Sequence, residues 1–500
     1  MADTYILALD QGTSSSRAML FERSGRVVAQ VSQPFPQHYP QPGWVEHDPL
    51  DLWQSQLAVA QHVLRQARVS PTQVAGIGLA NQRETTLIWD RDSGSPIYPA
   101  IVWQCRRTAP FVETLRQQGW EQEVRQRTGL VLDAYFSATK VCWLLDHIPG
   151  ARQRAREGKL AFGTVDTWLL YNLSGKTLHC TDASNAARTM LYNITTCAWD
   201  AEILRALDIP AALLPEVRDS SDVFGTTAPQ HFDGTSMPLG SVIGDQQGAL
   251  YGQACFYPGM VKNTYGTGSF VLMQVGTQPM TAPPGLLTTV AWRLGGQNTY
   301  ALEGSIFATG SALQWLRDEL QLIQHVAESE ALAHSVSDTN GVYFVPAFTG
   351  LGSPHWDMYA RGLLAGLTRG TSRAHIVRAA LEAMAYQTRD VIEAMVAAAG
   401  LSIPRVRVDG GAAVNNFVLQ FQSDMLQLPV QRPHVVQTTA LGAAYLAGLA
   451  VGYWDDQQQL ATNWRLDCEY TPSMPAAQRD ELYRGWQEAV RRARSWAVVT

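Results

Sequence analysis

Five short polar strings carry the residue types that phosphoryl transfer needs. Asp10-Gln11-Gly12-Thr13-Ser14-Ser15 sets a carboxylate beside a glycine and three hydroxyls. Small residues let backbone N–H groups approach phosphate oxygens, and the hydroxyls add donors. Asp10 has the oxygen ligands that Mg²⁺ prefers, and Arg17 is placed to reach a phosphate. Gly266-Thr267-Gly268-Ser269 is a second turn of this kind. Ile243-Gly244-Asp245-Gln246-Gln247 holds a single acid, suited to take the proton of an attacking hydroxyl. Asn81-Gln82-Arg83-Glu84-Thr85-Thr86 pairs a donor with an acceptor, the set that a polyol hydrogen-bonds. Val408-Asp409-Gly410-Gly411-Ala412 offers a bare backbone against which a purine could lie. Each string also has an ordinary reading: a hairpin turn at Asp10, a helix N-cap at Asp245, a solvated hairpin end at Arg83-Glu84, a tight strand-to-helix turn at Gly410.

The elements that position these strings are legible around them. Tyr5 to Leu9 reads as a buried strand running into Asp10. Arg17–Phe21 and Arg26–Val31 follow after short turns, so the start is predicted to be a three-strand meander rather than a strand feeding a phosphate-binding helix. A helix is expected from Asp48-Pro49, with Asp as cap and Pro at its first position. Strands are expected at 74–79, 86–89 and 405–408, and a long helix at 374–399 ending on Gly400. A strand that ends in small residues occurs at Asp10 and again at Tyr265 and Val408. That repetition suggests an α/β protein of two related lobes, 1–250 and 251–500.

Composition narrows the function class. A chain of 500 residues exceeds one typical core, which favours two domains. Its hydrophobic share of 46% against 16% charged is globular, and its net charge of -6 argues against a nucleic-acid partner. Six cysteines contain no Cys-x-x-Cys pair, so no zinc ribbon is expected. Neither a secretory leader nor a membrane span is apparent, and the expected location is cytoplasmic.

The strings agree in order with one family. Tyr135-Phe136-Ser137-Ala138-Thr139-Lys140-Val141-Cys142-Trp143 and Gly362-Leu363-Leu364-Ala365-Gly366-Leu367, continued by His375-Ile376 and Ala379-Ala380-Leu381-Glu382, resemble the signatures of the FGGY carbohydrate kinases. Gly43-Trp44-Val45-Glu46-His47-Asp48-Pro49, Val102-Trp103-Gln104-Cys105-Arg106-Arg107 and Asn263-Thr264-Tyr265-Gly266-Thr267-Gly268 resemble the branch of that family that phosphorylates glycerol. The resemblance implies two actin-like (ribonuclease H-like) lobes, with ATP and substrate in the cleft between them. It implies that Arg83, Glu84, Tyr135, Asp245 and Gln246 bind the glycerol hydroxyls, while Trp103 and Phe270 pack on its carbons. Asp245 is then the general base, and Asp10 with Asp245 surrounds Mg²⁺. Thr13, Ser14, Ser15, Arg17 and Thr267 take the phosphates; Gly310, Gln314, Gly411 and Asn415 line the nucleotide. It further implies a homo-oligomer, dimer or tetramer, and possible regulation by the phosphotransferase system at His231, read as an exposed loop imidazole. A pentulose or gluconate kinase of the same family is disfavoured by Arg83-Glu84 and Trp103. An actin-like ATPase of another class would need a client segment that the chain does not offer.

Overall fold

The computed structural model describes residues 4–497. The opening meander forms as expected: β1 (Tyr5–Gln11), β2 (Ser15–Phe21) and β3 (Val27–Pro34) pair antiparallel in sequence order. β4 (Val74–Asn81) joins β1 in parallel. β5 (Ser221–Thr226) and β6 (Pro238–Gly244) complete a six-stranded sheet of order β5-β6-β4-β1-β2-β3. Between β3 and β4 runs α1 (Pro49–Ala67), whose cap is Asp48 accepting from the Leu50 amide at 2.8 Å. Its buried face, Leu52, Val59, Ala60, Val63 and Leu64, closes one side of the sheet.

The same plan recurs in the second half. β7 (Val261–Tyr265), β8 (Ser269–Gly276), β9 (Leu287–Leu294) and β10 (Gln297–Ile306) are joined by antiparallel pairings. β11 (Val406–Asp409) joins β7 in parallel, as β4 joins β1. With β12 (Val430–Pro433) and β13 (Leu466–Tyr470) the order is β9-β10-β8-β7-β11-β12-β13. The long helix, Arg373–Ala399, ends on Gly400 at φ 63°, and its buried face belongs to the largest apolar cluster. Both sheets therefore share one arrangement: antiparallel strands on one side of the first strand and a parallel strand on its other side, with β10 rather than β9 in third place in the second sheet.

Two helices hold the halves together. α2 (Asp245–Gly252) follows β6, and α3 (Thr438–Ala450) comes from the second half of the chain yet lies on the first sheet. Ser241 and Ser221 donate to the carbonyls of Ala443 and Leu446 in α3, each at 2.7 Å. An apolar cluster joins Ile6, Met19 and Phe21 of the first sheet to Leu272 and Trp292 of the second through α3. The two helices touch at glycines: a Cβ on Gly442 would overlap the carbonyl of Gly248, and one on Gly252 would overlap that of Thr438. Gly442→Ala is expected to destabilise the protein by about 1–3 kcal/mol, toward the upper end because the methyl meets backbone that cannot swing aside. Thermal unfolding measures it; an unchanged midpoint would mean the helices slide apart freely.

Candidate active site

The register of the first sheet assembles the site. Gln11, Asn81 and Gly244 stand side by side at the carboxyl ends of β1, β4 and β6. Asp10, Arg83 and Asp245 each lie within two residues of that line, so distant strings meet in space. Beyond β4 the chain turns sharply: Gln82 donates its N–H to the Gln11 carbonyl at 2.7 Å, and Glu84 adopts φ 62°. A glutamate in this left-handed region is held by its surroundings rather than by its own preference.

The ordinary reading of Arg83-Glu84 as a solvated hairpin end does not hold. Both side chains are buried, at 2% and 1% exposure. Arg83 contacts Glu303 of β10 with both terminal nitrogens, Nη1 to Oε2 at 2.5 Å and Nη2 to Oε1 at 3.1 Å. Its Nη1 also donates to Gln247 at 3.2 Å, and its Nε lies 3.3 Å from Asp245 Oδ1. Arg188 donates from Nε to Glu84 at 2.7 Å and from Nη2 to Glu303 at 3.0 Å. Two arginines and two glutamates, none more than 2% exposed, thus form one buried set of ion pairs. Burial pushes the Glu303 carboxyl up, but Arg188 and Arg83 more than reverse it and hold the group at about 2. Burial raises Glu84, against the pull of Arg188 and Arg83.

Asp245 is the opening in this set. It is the first residue of α2, behind Gly244 as cap, so the N-cap reading of this acid is corrected. Its Oδ1 accepts from the Gln246 amide at 2.7 Å, while over a quarter of the side chain stays open. Burial raises its proton affinity, opposed by Arg83 and Lys262. A raised proton affinity is what a general base needs. Asp10 is pushed up to about 6 by burial, less the pull of Arg17 at 3.7 Å, with Asp245 adding repulsion. Two carboxylates that repel one another and keep open sides fit a hard divalent cation that retains most of its waters.

An aromatic wall adjoins the acids. Trp103 meets Tyr135 edge-on at 5.5 Å and donates its indole N–H to Thr13 Oγ1 at 2.9 Å. Phe270 lies under the Arg83 guanidinium at 5.7 Å. The backbone of Tyr135 is fixed by buried Lys140, which donates to the carbonyls of Tyr135 at 2.5 Å and Phe136 at 3.0 Å.

The second turn packs on the start of the helix Gly310–Asp318. Gly310 donates to the Gly266 carbonyl at 3.1 Å, and Thr309 and Ser311 to that of Thr267 at 3.0 Å. Gly410, at φ 87°, packs so tightly on the Tyr265 carbonyl that any Cβ would overlap it, while the space over Gly411 is open. Gln314 sits exposed one turn into the helix Gly310–Asp318. Asn415 caps the helix Asn416–Leu426 through the Val418 amide at 3.1 Å. Ser14, Ser15 and Arg17 stay with the first turn, Ser14 exposed. His231 differs from expectation: it is half-buried, its Nε2 lies 3.1 Å from the Asn172 carbonyl, and its ring meets Trp53 edge-on.

Sequence reasoning missed Glu303, Arg188, Lys262 and Lys140. A lone acid in Ala301-Leu302-Glu303-Gly304 and a lone lysine in Met260-Val261-Lys262 were available signals, because a charge inside an apolar strand must be paired. Arg188 has no such mark.

Comparison with known proteins adds kinship to this geometry. Residues 5–252 match the N-terminal domain of the FGGY family of carbohydrate kinases, and residues 261–451 match its C-terminal domain. The glycerol kinase of Symbiobacterium thermophilum is 59% identical over 99% of each chain. Glycerol kinase 2 of Thermotoga maritima is 57% identical over 98% of this chain and 99% of its own. Among solved structures, Plasmodium falciparum glycerol kinase with ADP superposes with a TM-score of 0.91 at 34% identity, covering 98% of each chain. Lactobacillus acidophilus gluconate kinase reaches 0.87 at 21% identity over 97% of each, which speaks for the fold alone.

Proposed function

The chain belongs to the FGGY family of carbohydrate kinases, and from that membership we propose that it transfers the γ-phosphoryl group of ATP to a terminal hydroxyl of glycerol. The observation that carries the substrate is identity of 55–59% with proteins named glycerol kinase, over essentially the whole chain. The division of labour largely follows the halves: 1–250 for the triol and the phosphates, 251–500 for the nucleotide, with Thr267 and Phe270 of the second half serving the phosphate and the triol.

Arg83 and Glu84 offer donor and acceptor to the hydroxyls, and Tyr135 and Gln246 complete the set. Trp103 and Phe270 cover the carbons and keep water, the competing acceptor, away. Asp245 takes the proton as the terminal oxygen bonds to phosphorus and the bond to the β-phosphate bridging oxygen breaks, releasing ADP. The proton then passes from Asp245 to solvent. Asp10 and Asp245 would hold Mg²⁺, which offsets charge on the transferring phosphate when bound. Thr13, Ser14, Ser15, Arg17 and Thr267 position the phosphates; Gly310, Gln314, Gly411 and Asn415 position the nucleotide.

A coupled assay of ADP release tests the reading, with glycerol, dihydroxyacetone, xylulose, ribulose and gluconate run in parallel. Release that depends on glycerol is expected. Preference for a pentulose, or release without any acceptor, would overturn it.

A homo-oligomer and a regulatory histidine belong to the same proposal. His231 has Nε2 engaged by Asn172, which leaves Nδ1 directed away from that bond as the phosphoryl acceptor. Label from a phosphorylated carrier protein should reach the wild type and miss His231→Ala. Equal labelling of both, or none of either, removes the role.

A further inference from the structure

Of the residues read as triol contacts, all but Phe270 lie in the first half of the chain, yet Arg83 and Gln246 are held by two charged residues of the second. Glu303 on β10 has no exposure and supplies both oxygens to the guanidiniums of Arg83 and Arg188. Lys262 on β7, equally buried, donates to Gln246 Oε1 at 2.6 Å, to Thr264 Oγ1 at 2.9 Å and to the Phe270 carbonyl at 3.2 Å. Arg83 has few other restraints. Without Glu303 its guanidinium keeps one hydrogen bond, to Gln247, with Asp245 and Glu84 beside its Nε at 3.3 and 3.8 Å and the Phe270 ring beneath it, while Arg188 keeps Glu84. Gln246 has Lys262 as the side-chain partner of its amide oxygen.

We propose that Glu303 and Lys262 are positioning residues for the acceptor site, so that the nucleotide-side lobe sets the geometry with which the other lobe reads its substrate. The inference rests on the reading of Arg83 and Gln246 as triol contacts. Its physical basis is the fork geometry of a guanidinium: one carboxylate with two oxygens fixes both the position and the plane of Arg83. The same carboxylate is shared with Arg188, so a shift of β10 relative to β4 moves both arginines and, through Glu84, the acceptor itself. Binding of the acceptor and the relative placement of the two sheets are therefore coupled through this buried carboxylate.

The test is Glu303→Gln, which keeps the size but removes the charge and turns one acceptor atom into a donor, so the two-oxygen grip on the Arg83 fork is lost even where the remaining oxygen accepts from both guanidiniums. KM for glycerol should rise about 10-fold or more while KM for ATP stays within about 2-fold. In an Arg83→Ala background the same change should alter glycerol use less than about 3-fold, because the side chain it holds directly is gone and only the path through Arg188 and Glu84 remains. Hydrogen exchange gives a readout that needs no substrate: amides of residues 82–86 should exchange faster in unliganded Glu303→Gln than in wild type. Unchanged exchange, equal rises in both KM values, or effects that multiply independently with Arg83→Ala would overturn the proposal. Should Glu303→Gln fail to fold, Lys262→Met decides through Gln246, with the same split between the two KM values required. A wild type with no glycerol-dependent ADP release would end the substrate reading and leave the exchange comparison to decide the coupling.

Discussion

Asp245→Asn should abolish turnover by roughly 10²–10⁴-fold while fold and nucleotide binding persist, the range that a positioned base contributes. The substitution is nearly isosteric. An amide oxygen can still accept from the Gln246 N–H that Asp245 Oδ1 accepts at 2.7 Å, so the start of α2 is kept. Proton affinity at the attacking hydroxyl is what disappears. Asp245 is also the acid nearest Asp10 in effect, so a metal contribution is lost with it. The two losses separate in one measurement: raising Mg²⁺ recovers a metal defect in part and leaves a base defect untouched. Thermal unfolding should differ little, since burial disfavours the carboxylate and the amide escapes that cost. Turnover within a few-fold of wild type would sink the assignment.

Much of this architecture was legible in the sequence for a physical reason. A strand such as Ile6–Leu9, apolar without alternation, has to be covered on both faces, and its abrupt end at Asp10 marks where the sheet meets solvent or ligand. Asp48-Pro49 and Gly400 bracket helices through backbone chemistry that needs no tertiary context. The parallel pairing of β1, β4 and β6 was not legible, because it depends on register between strands more than 60 residues apart. That register is what turns three weak strings into one site. The same gap explains why Arg83-Glu84 read as a solvated turn. Its neutralising partners, Glu303 and Arg188, lie 220 and 104 residues away, and nothing local announces them. The pairing of α3 with the first sheet was hidden likewise; its apolar, glycine-containing sequence says only that it is enclosed, not by what.

Arg83→Ala carries the second large effect, and the buried set changes what it should do. For recognition alone, losing hydrogen bonds from a charged donor costs about 1.5–3 kcal/mol, a fall in kcat/KM for glycerol of about 10- to 150-fold. The structure adds a stability term. Truncation leaves Glu303 with Arg188 as its remaining guanidinium partner while Glu84, sharing that same arginine, stays buried with it. Two carboxylates and one guanidinium then sit where water cannot reach, and breaking a buried pair from one side typically costs about 3–5 kcal/mol. The stability loss is therefore expected to exceed the recognition loss, and the variant must be assayed well below its unfolding midpoint. Arg83→Lys discriminates between the two terms. Its ammonium restores the charge balance and most of the stability, but a point charge cannot span both Glu303 oxygens and present a fixed plane to the triol. It should unfold near the wild-type midpoint and still use glycerol poorly, with KM for ATP unchanged. Recovery of glycerol use by Arg83→Lys would mean that charge alone matters and the fork does not. Equal losses of ATP and glycerol affinity in both variants would make Arg83 a structural residue only.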